Sequence, residues 1–305
     1  PFRGRRVACW VVDVLMNRFQ RVKLSNVYSD WERVPSGVPQ GTKLGPWIFL
    51  LMINDLRLDG TNTWKYVDDT STSEIIQKGT DSNIQLSSSE LQEWSLQNRF
   101  QLNSSKCKEL RIDFKREKQQ FNPVMVNDQP VEVVKHAKLL GLTISSSLKW
   151  NMHIEDTIKK ANKRLYCLVQ LKRAKVPEKE IVQFYCTCIR PVLEYAAPVF
   201  HHSLPQYLAD DLERVQQRSL GIIFKCEKYN KCLEYSGLET LVNRRQMLCL
   251  KLFDSITSNS DHKLYKLLPP KKKQTYNLRH KRSFSSLLAR TKRFKNTFIP
   301  HMLNS

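Results

Sequence analysis

Tyr66-Val67-Asp68-Asp69 sets two carboxylates side by side between runs of strand-formers, Asn62-Thr63-Trp64-Lys65 before them and Thr70-Ser71-Thr72 after. This strand-turn-strand pattern predicts a β-hairpin with Asp68 and Asp69 at its tip. Mg²⁺ keeps several of its waters, so one or two carboxylates plus the phosphates of a substrate complete its shell. Metal-assisted phosphoryl transfer is the chemistry such a pair supports, with Mg²⁺ as the ion and Mn²⁺ as a substitute. Adjacent aspartates at a turn are also common as a plain solvated pair. What lifts this pair above that reading is Ser36-Gly37-Val38-Pro39-Gln40-Gly41 a short way upstream. Glycine admits a ligand close to the backbone, and the glutamine amide both donates to and accepts from a base edge. Ser36, Gly37, Pro39, Gln40 and Gly41 are therefore candidate substrate- and template-binding residues.

The elements that must position these groups read as α+β. Val11, Val14, Leu15 and Phe19 share one face of a first helix, and residues 20–27 alternate like a strand. Pro46 stands where proline opens helices, and the run from Trp47 to Leu56 is apolar nearly all round, which predicts a helix buried under the Asp68 hairpin. A helix carrying Leu91 and Trp94 ends near Asn98, and residues 110–114 alternate as a strand. Residues 124–134 and 137–144 read as hairpin strands around Asn127-Asp128. From Asn151 the period becomes helical: Ile154, Ile158, Ala161, Leu165 and Leu168 form one stripe, with Lys159, Lys160, Lys163 and Arg164 largely away from it. Those four basic residues are either a solvated face or a face that tracks phosphates. Further helices are expected at 178–190, 207–224 and 238–253.

The chain has 305 residues, 41% of them hydrophobic, enough for two domains with cores. Its formal net charge of +21 calls for a polyanionic partner, because each Lys or Arg that meets a phosphate releases condensed counterions. Beyond Asp261 there is no acidic residue but twelve lysines and arginines, with Tyr276, Phe284, Phe294 and Phe298 among them as candidate stacking rings. Lys271, Lys272, Lys273, Arg282 and Arg293 are the candidate backbone contacts there, and the same basic runs suit a nuclear-localisation patch. The longest clean apolar run, 47–53, is far short of the roughly 20 residues of a spanning helix, so no membrane partner is expected. Asp13 breaks the apolar stretch that a signal peptide needs, which places the expected site of action inside the cell, nuclear or cytoplasmic. The eight cysteines form no Cys-x-x-Cys pair, and Cys226 and Cys232 with His201 and His202 match no standard zinc spacing.

The order of these motifs resembles the reverse transcriptases of non-LTR, LINE-like retrotransposons. Val34 to Phe49 followed by Ile53-Asn54-Asp55-Leu56 resembles that family's template- and nucleotide-positioning motif, and Tyr66 to Asp69 its metal-binding hairpin. Leu102-Asn103-Ser104-Ser105-Lys106-Cys107 resembles its lysine segment, and Lys138-Leu139-Leu140-Gly141-Leu142 the hairpin that grips the primer. Ile189-Arg190-Pro191-Val192-Leu193-Glu194-Tyr195-Ala196 and residues 212–218 resemble its thumb and post-thumb helices.

The resemblance implies an RNA-directed DNA polymerase that works with RNA template, DNA primer, deoxynucleoside triphosphates and Mg²⁺. Its catalytic groups would be Asp68, Asp69 and Lys106, the lysine neutralising or protonating the pyrophosphate that leaves. It also implies a partial palm over 1–122, a palm–thumb hairpin region over 123–150, a helical thumb and post-thumb over 151–261, and a basic segment over 262–305. That family's other metal-binding aspartate stands upstream of an Arg-x-Gln segment, which here reads Arg18-Phe19-Gln20. The chain starts after that position, and the setting of Asp13 matches the following helix. Two-metal catalysis by this chain alone is therefore not expected. The alternative is a non-enzymatic RNA- or DNA-binding protein descended from a decayed reverse transcriptase.

Overall fold

The computed structural model describes residues 2–35, 37, 38, 41–225, 228–271 and 284–304. It is a mixed helix and sheet structure in two compact units: residues 1–109 with 118–133, and residues 110–117 with 134–305. The dividing line therefore falls inside the 123–150 hairpin region, and the basic 262–305 segment belongs to the second unit.

In the first unit, helix α1 (Phe2–Leu15) leads into a two-tiered hairpin. Strand β1 (Arg18–Gln20) pairs with β4 (Glu32–Val34) and encloses β2 (Lys23–Leu24) paired with β3 (Val27–Tyr28). Phe19 thus lies in a strand rather than on the first helix. Helix α2 (Leu44–Met52) follows, its first turn tied by Thr42 Oγ1 accepting from Gly45 N at 3.2 Å. Contrary to the buried helix expected here, only Ile48 of α2 is buried; Trp47 is 69% and Leu51 75% exposed. An all-round apolar sequence does not by itself supply a covering layer.

Strands β5 (Asn62–Tyr66) and β6 (Asp69–Ser73) pair antiparallel, and α3 (Ile84–Gln97) runs to its C-cap at Asn98. Strand β7 (Lys108–Leu110) is shorter and earlier than the strand expected over 110–114. Strands β8 (Met125–Val126) and β9 (Gln129–Pro130) flank Asn127 and Asp128, both at positive φ, the geometry of a type I′ hairpin turn. Strand β10 is Glu132–Val134. All sheets among the described residues are two-stranded.

In the second unit, β11 (His136–Leu139) and β12 (Leu142–Ser145) form a hairpin around Leu140 and Gly141. Gly141 has φ +86, and a Cβ there would stand 3.1 Å from the Tyr195 ring. The Tyr195 hydroxyl donates to Leu140 O at 2.7 Å, so this glycine lets an aromatic ring pin the hairpin tip.

Helix α4 (Asn151–Arg173) buries Ile154, Ala161, Leu165 and Leu168, the expected stripe, with Ile158 partly buried beside them. Helix α5 (Glu178–Phe184) passes through a π-helical turn at Tyr185–Ile189 into α6 (Arg190–Glu194). The widening has a local cause: Pro191 has no N–H to offer Thr187 O, so the regular ladder cannot continue. The thiols of this turn, Cys186 and Cys188, are half-buried rather than buried.

Helices α7 (Ala197–Phe200), α8 (Gln206–Phe224), α9 (Tyr229–Ser236) and α10 (Leu241–Ser258) complete the bundle, followed by α11 (Lys292–Lys295) and α12 (Phe298–Asn304). The core runs through Tyr185, Ile189, Leu193, Phe200, Leu212, Leu220, Ile223 and Leu241. Glu213 on α8 stabilises the start of α10 from 28 residues away, its carboxylate accepting from Leu241 N at 3.0 Å and Val242 N at 3.2 Å. No helix among the described residues is long and apolar enough to cross a membrane.

Candidate active site

Five residue pairs, from Asn62 with Ser73 to Tyr66 with Asp69, zip the β5–β6 hairpin and leave Val67 and Asp68 as a two-residue loop. Asp69 closes the last rung and Asp68 stands in the turn, both exposed. Val67 has φ +55. A β-branched residue is ill-suited to that conformation, which costs on the order of 1–3 kcal/mol and is found where structure over-determines a functional backbone.

Lys65 fixes the hairpin to the end of α2. Its Nζ donates to Ile53 O at 2.7 Å, Leu56 O at 2.9 Å and Asn54 O at 3.2 Å. These carbonyls belong to the turn that follows the helix, where Ile53 O also accepts from Leu56 N at 3.3 Å, and a cation there suits the negative pole of the helix. Sequence reasoning passed over Lys65 because nothing in the strand pattern marks a lysine as a helix cap. The link matters to the site because it joins the Gly41–Met52 segment to the strand that ends at the aspartates.

Of the proposed substrate-binding residues, Ser36, Pro39 and Gln40 lie outside the described residues. Gly37 has φ +87 and Gly41 φ +77, with nothing within 4 Å of either Cβ position. Both are thus set in the left-handed conformation that glycine alone adopts freely, with open space around them. The Arg18 guanidinium donates to Gly37 O, which anchors this loop to β1.

Lys106 ends a single 3₁₀ turn at Ser104–Lys106, whose first residue follows the cap Asn103; the Asn103 side chain accepts from Lys106 N at 3.3 Å. The lysine is exposed. A cavity of about 530 Å³ lies at the foot of the hairpin, lined in part by Gly60, Asn62, Ser73, Glu74 and Asn83, at the end away from Asp68. The carboxylates therefore project into open solvent instead of lining that cavity.

The donor set suits a half-shell for Mg²⁺: two adjacent, exposed carboxylates that form no ion pair among the described residues. Among the described residues no group of three His, Cys, Asp or Glu side chains is placed to hold a metal ion.

In the helical unit, Lys159, Lys160, Lys163 and Arg164 are all exposed on α4. Arg164 differs from the other three, since its guanidinium donates to Cys188 O in the π turn. Arg293 stacks over the Phe114 ring, 4.0 Å from the ring centroid, and Lys271 pairs with Phe284 in an isolated bridge. Arg164 and Arg293 therefore have structural partners that the charge pattern did not reveal. Lys272, Lys273 and Arg282 lie outside the described residues.

Over 250 residues the chain is 22% identical to the probable RNA-directed DNA polymerase from transposon X-element of Drosophila melanogaster, a match that takes in 78% of this chain and 26% of that protein. A family profile described as alkylated DNA repair protein alkB homolog 8, N-terminal, matches residues 150–190, which run from the start of α4 to the start of α6. No solved structure matches. The chain is thus related in sequence, distantly and over most of its length, to a transposon RNA-directed DNA polymerase, and spans about a quarter of that protein.

Proposed function

We propose that this chain is part of an RNA-directed DNA polymerase of the non-LTR retrotransposon kind, with its first unit belonging to the palm and its helical unit to the thumb. The observation that carries the reading is the strained two-residue loop that presents Asp68 and Asp69 at an exposed hairpin tip. Sequence kinship to a transposon polymerase supports it.

In this reading Asp68 and Asp69 hold Mg²⁺, or Mn²⁺, whose bound charge neutralises the triphosphate of a deoxynucleotide. Gly37 and Gly41, with Ser36, Pro39 and Gln40, approach the templating base and incoming nucleotide. Lys106 meets the pyrophosphate that departs, and Lys159, Lys160 and Lys163 follow the backbone of the template–primer duplex. No third carboxylate joins Asp68 and Asp69 among the described residues, so the remaining ligand of a two-metal cage comes from elsewhere in a longer polypeptide or from a second chain.

Mn²⁺ tests the metal assignment directly. Its paramagnetism should broaden the amide signals of residues 66–70 at concentrations that leave α4 and α8 untouched, and Asp68→Asn should abolish the effect. Broadening spread evenly over all exposed carboxylates would refute a specific site.

A non-enzymatic nucleic-acid-binding protein is the second reading. It is favoured by the net charge of +21 together with the incomplete ligand set. The two part company on Asp68: binding protein alone would be indifferent to its replacement, whereas a polymerase piece would not.

A further inference from the structure

Two arginines crowd one carboxylate in the helical unit, and a third adjoins them in sequence. Glu194, which ends α6, has a side chain only 11% exposed; its Oε1 lies 3.6 Å from Nε of Arg190 and 3.3 Å from Nε of Arg244. Arg245, the next residue along α10, is fully buried, and none of its three guanidinium nitrogens has a hydrogen-bond partner among the described residues. The Nε atoms of Arg190 and Arg244 are buried and likewise lack one among the described residues.

The other nearby carboxylate, Glu213, is already engaged by Leu241 N, Val242 N and the Tyr229 hydroxyl. Arg244 and Arg245 also sit near the positive end of α10, where a cation is disfavoured. So much uncompensated positive charge in a half-dry setting is costly unless another anion shares it.

Beside this cluster opens a cleft of about 150 Å³ lined by Arg190, Gly237, Leu238, Glu239 and Arg244. It is smaller than the roughly 300–1,000 Å³ of sites that take whole small molecules, which favours a single charged group over a nucleoside. Glu239 also lines the cleft; its backbone carbonyl accepts from Gln216 Nε2 at 2.9 Å, and because the residue is exposed its carboxylate is screened by water. Guanidinium groups match a tetrahedral oxyanion through paired N–H donors.

We propose that the Arg190–Arg244 cleft is a binding site for a phosphate-type oxyanion, supplied by a nucleic-acid backbone or as free phosphate.

The test is calorimetric titration of the full chain with inorganic phosphate at constant ionic strength in chloride. A single saturable site is expected. Arg244→Gln and Arg190→Gln, each checked for folding by circular dichroism, should weaken it at least tenfold. Glu194→Gln should tighten it several-fold by removing the internal competitor, a result that a purely structural ion-pair cluster would not give.

Without any variant, phosphate should slow phenylglyoxal modification of Arg190 and Arg244 relative to the exposed Arg218. Competition between phosphate and a labelled single-stranded oligonucleotide, lost in Arg244→Gln, identifies the backbone as the source. Saturable phosphate binding without such competition identifies free phosphate. No saturable heat and no protection of the two arginines would overturn the proposal.

Discussion

The two units of this chain differ in what holds them. In the helical unit, side chains from α4 to α10 interlock around Tyr185, Leu193, Leu212 and Leu241, all fully buried. In the first unit few of the described apolar residues are buried, Ile48, Ile53, Leu56, Leu58, Val126 and Val131, while Trp10, Trp31, Trp47 and Trp64 stay exposed. Its shape rests instead on hairpin hydrogen bonds and on single polar ties such as Lys65. The residues with the strongest claim to chemistry are therefore in the unit with the thinner core, and the self-sufficient core belongs to the unit that would grip a polyanion. That division matches a general pattern in which binding and catalytic elements draw on the less stable part of a fold.

The largest expected effect concerns which unit carries the affinity for nucleic acid. If about six to ten phosphates are contacted, affinity should fall by roughly 10³ to 10⁵ between 50 and 200 mM salt. Deleting everything after Asp261 would blur the result, because α12 packs on α7 and α10, with His301 stacked on His202 at 3.8 Å. Replacing Lys271, Lys272, Lys273 and Arg282 by glutamine avoids that damage, and should lower the salt slope by about 3 to 4 if each meets one phosphate. An unchanged slope would move the affinity out of the basic segment.

Core truncation should separate the units next. Leu212→Ala, at a fully buried position, should cost about 2–5 kcal/mol in equilibrium urea unfolding, whereas Leu51→Ala on exposed α2 should stay within about 0.5 kcal/mol. Similar losses at both sites would break the contrast between a packed and an open unit.

Acid should act on the helical unit first. Burial holds both His201 and His202 down to about 4, helped by Arg245 for His201 and by His301 and His201 for His202. The ordinary value is 6.5, so the unfolded chain takes up protons first as pH falls. Stability present above 6.5 is thus lost progressively between 6.5 and about 4, and the unfolding midpoint should drop from pH 7 to pH 5. His202→Asn should flatten that dependence; an unaltered profile would place the acid sensitivity elsewhere.

The smallest effect is at the hairpin itself. Val67→Gly relieves the positive φ and should raise stability by up to about 1 kcal/mol, opposite in sign to the usual loss from glycine in a strand. A clear loss in urea unfolding would mean that Val67 is not strained.

What the sequence disclosed follows the range of the interactions. The 62–73 hairpin, the Asn127-Asp128 turn and the α4 stripe come from neighbours two to four residues apart, and periodicity reads them well. The exposure of α2 was not legible, because an apolar helix states what it can bury and not whether a partner surface covers it. The Lys65 contacts, the Glu213 contacts to α10, the Arg164 bond to Cys188 and the buried Arg245 pair residues 9 to 29 positions apart or depend on packing, so no local pattern marks them. Pro191 was visible throughout, yet its consequence, a π turn instead of a helix end, needs the surrounding bundle to hold the widened ladder together.

The central claim is that Asp68 and Asp69 are one half of a polymerase metal site, and primer extension tests it most directly. With primed RNA template, deoxynucleotides and Mg²⁺, the purified chain should extend no primer, since no third ligand joins the two aspartates among its described residues. Fusion to the preceding fingers and palm segment of a non-LTR reverse transcriptase should restore extension, and Asp68→Asn in that fusion should abolish it. Extension that survives Asp68→Asn would contradict the assignment of the hairpin as the catalytic centre.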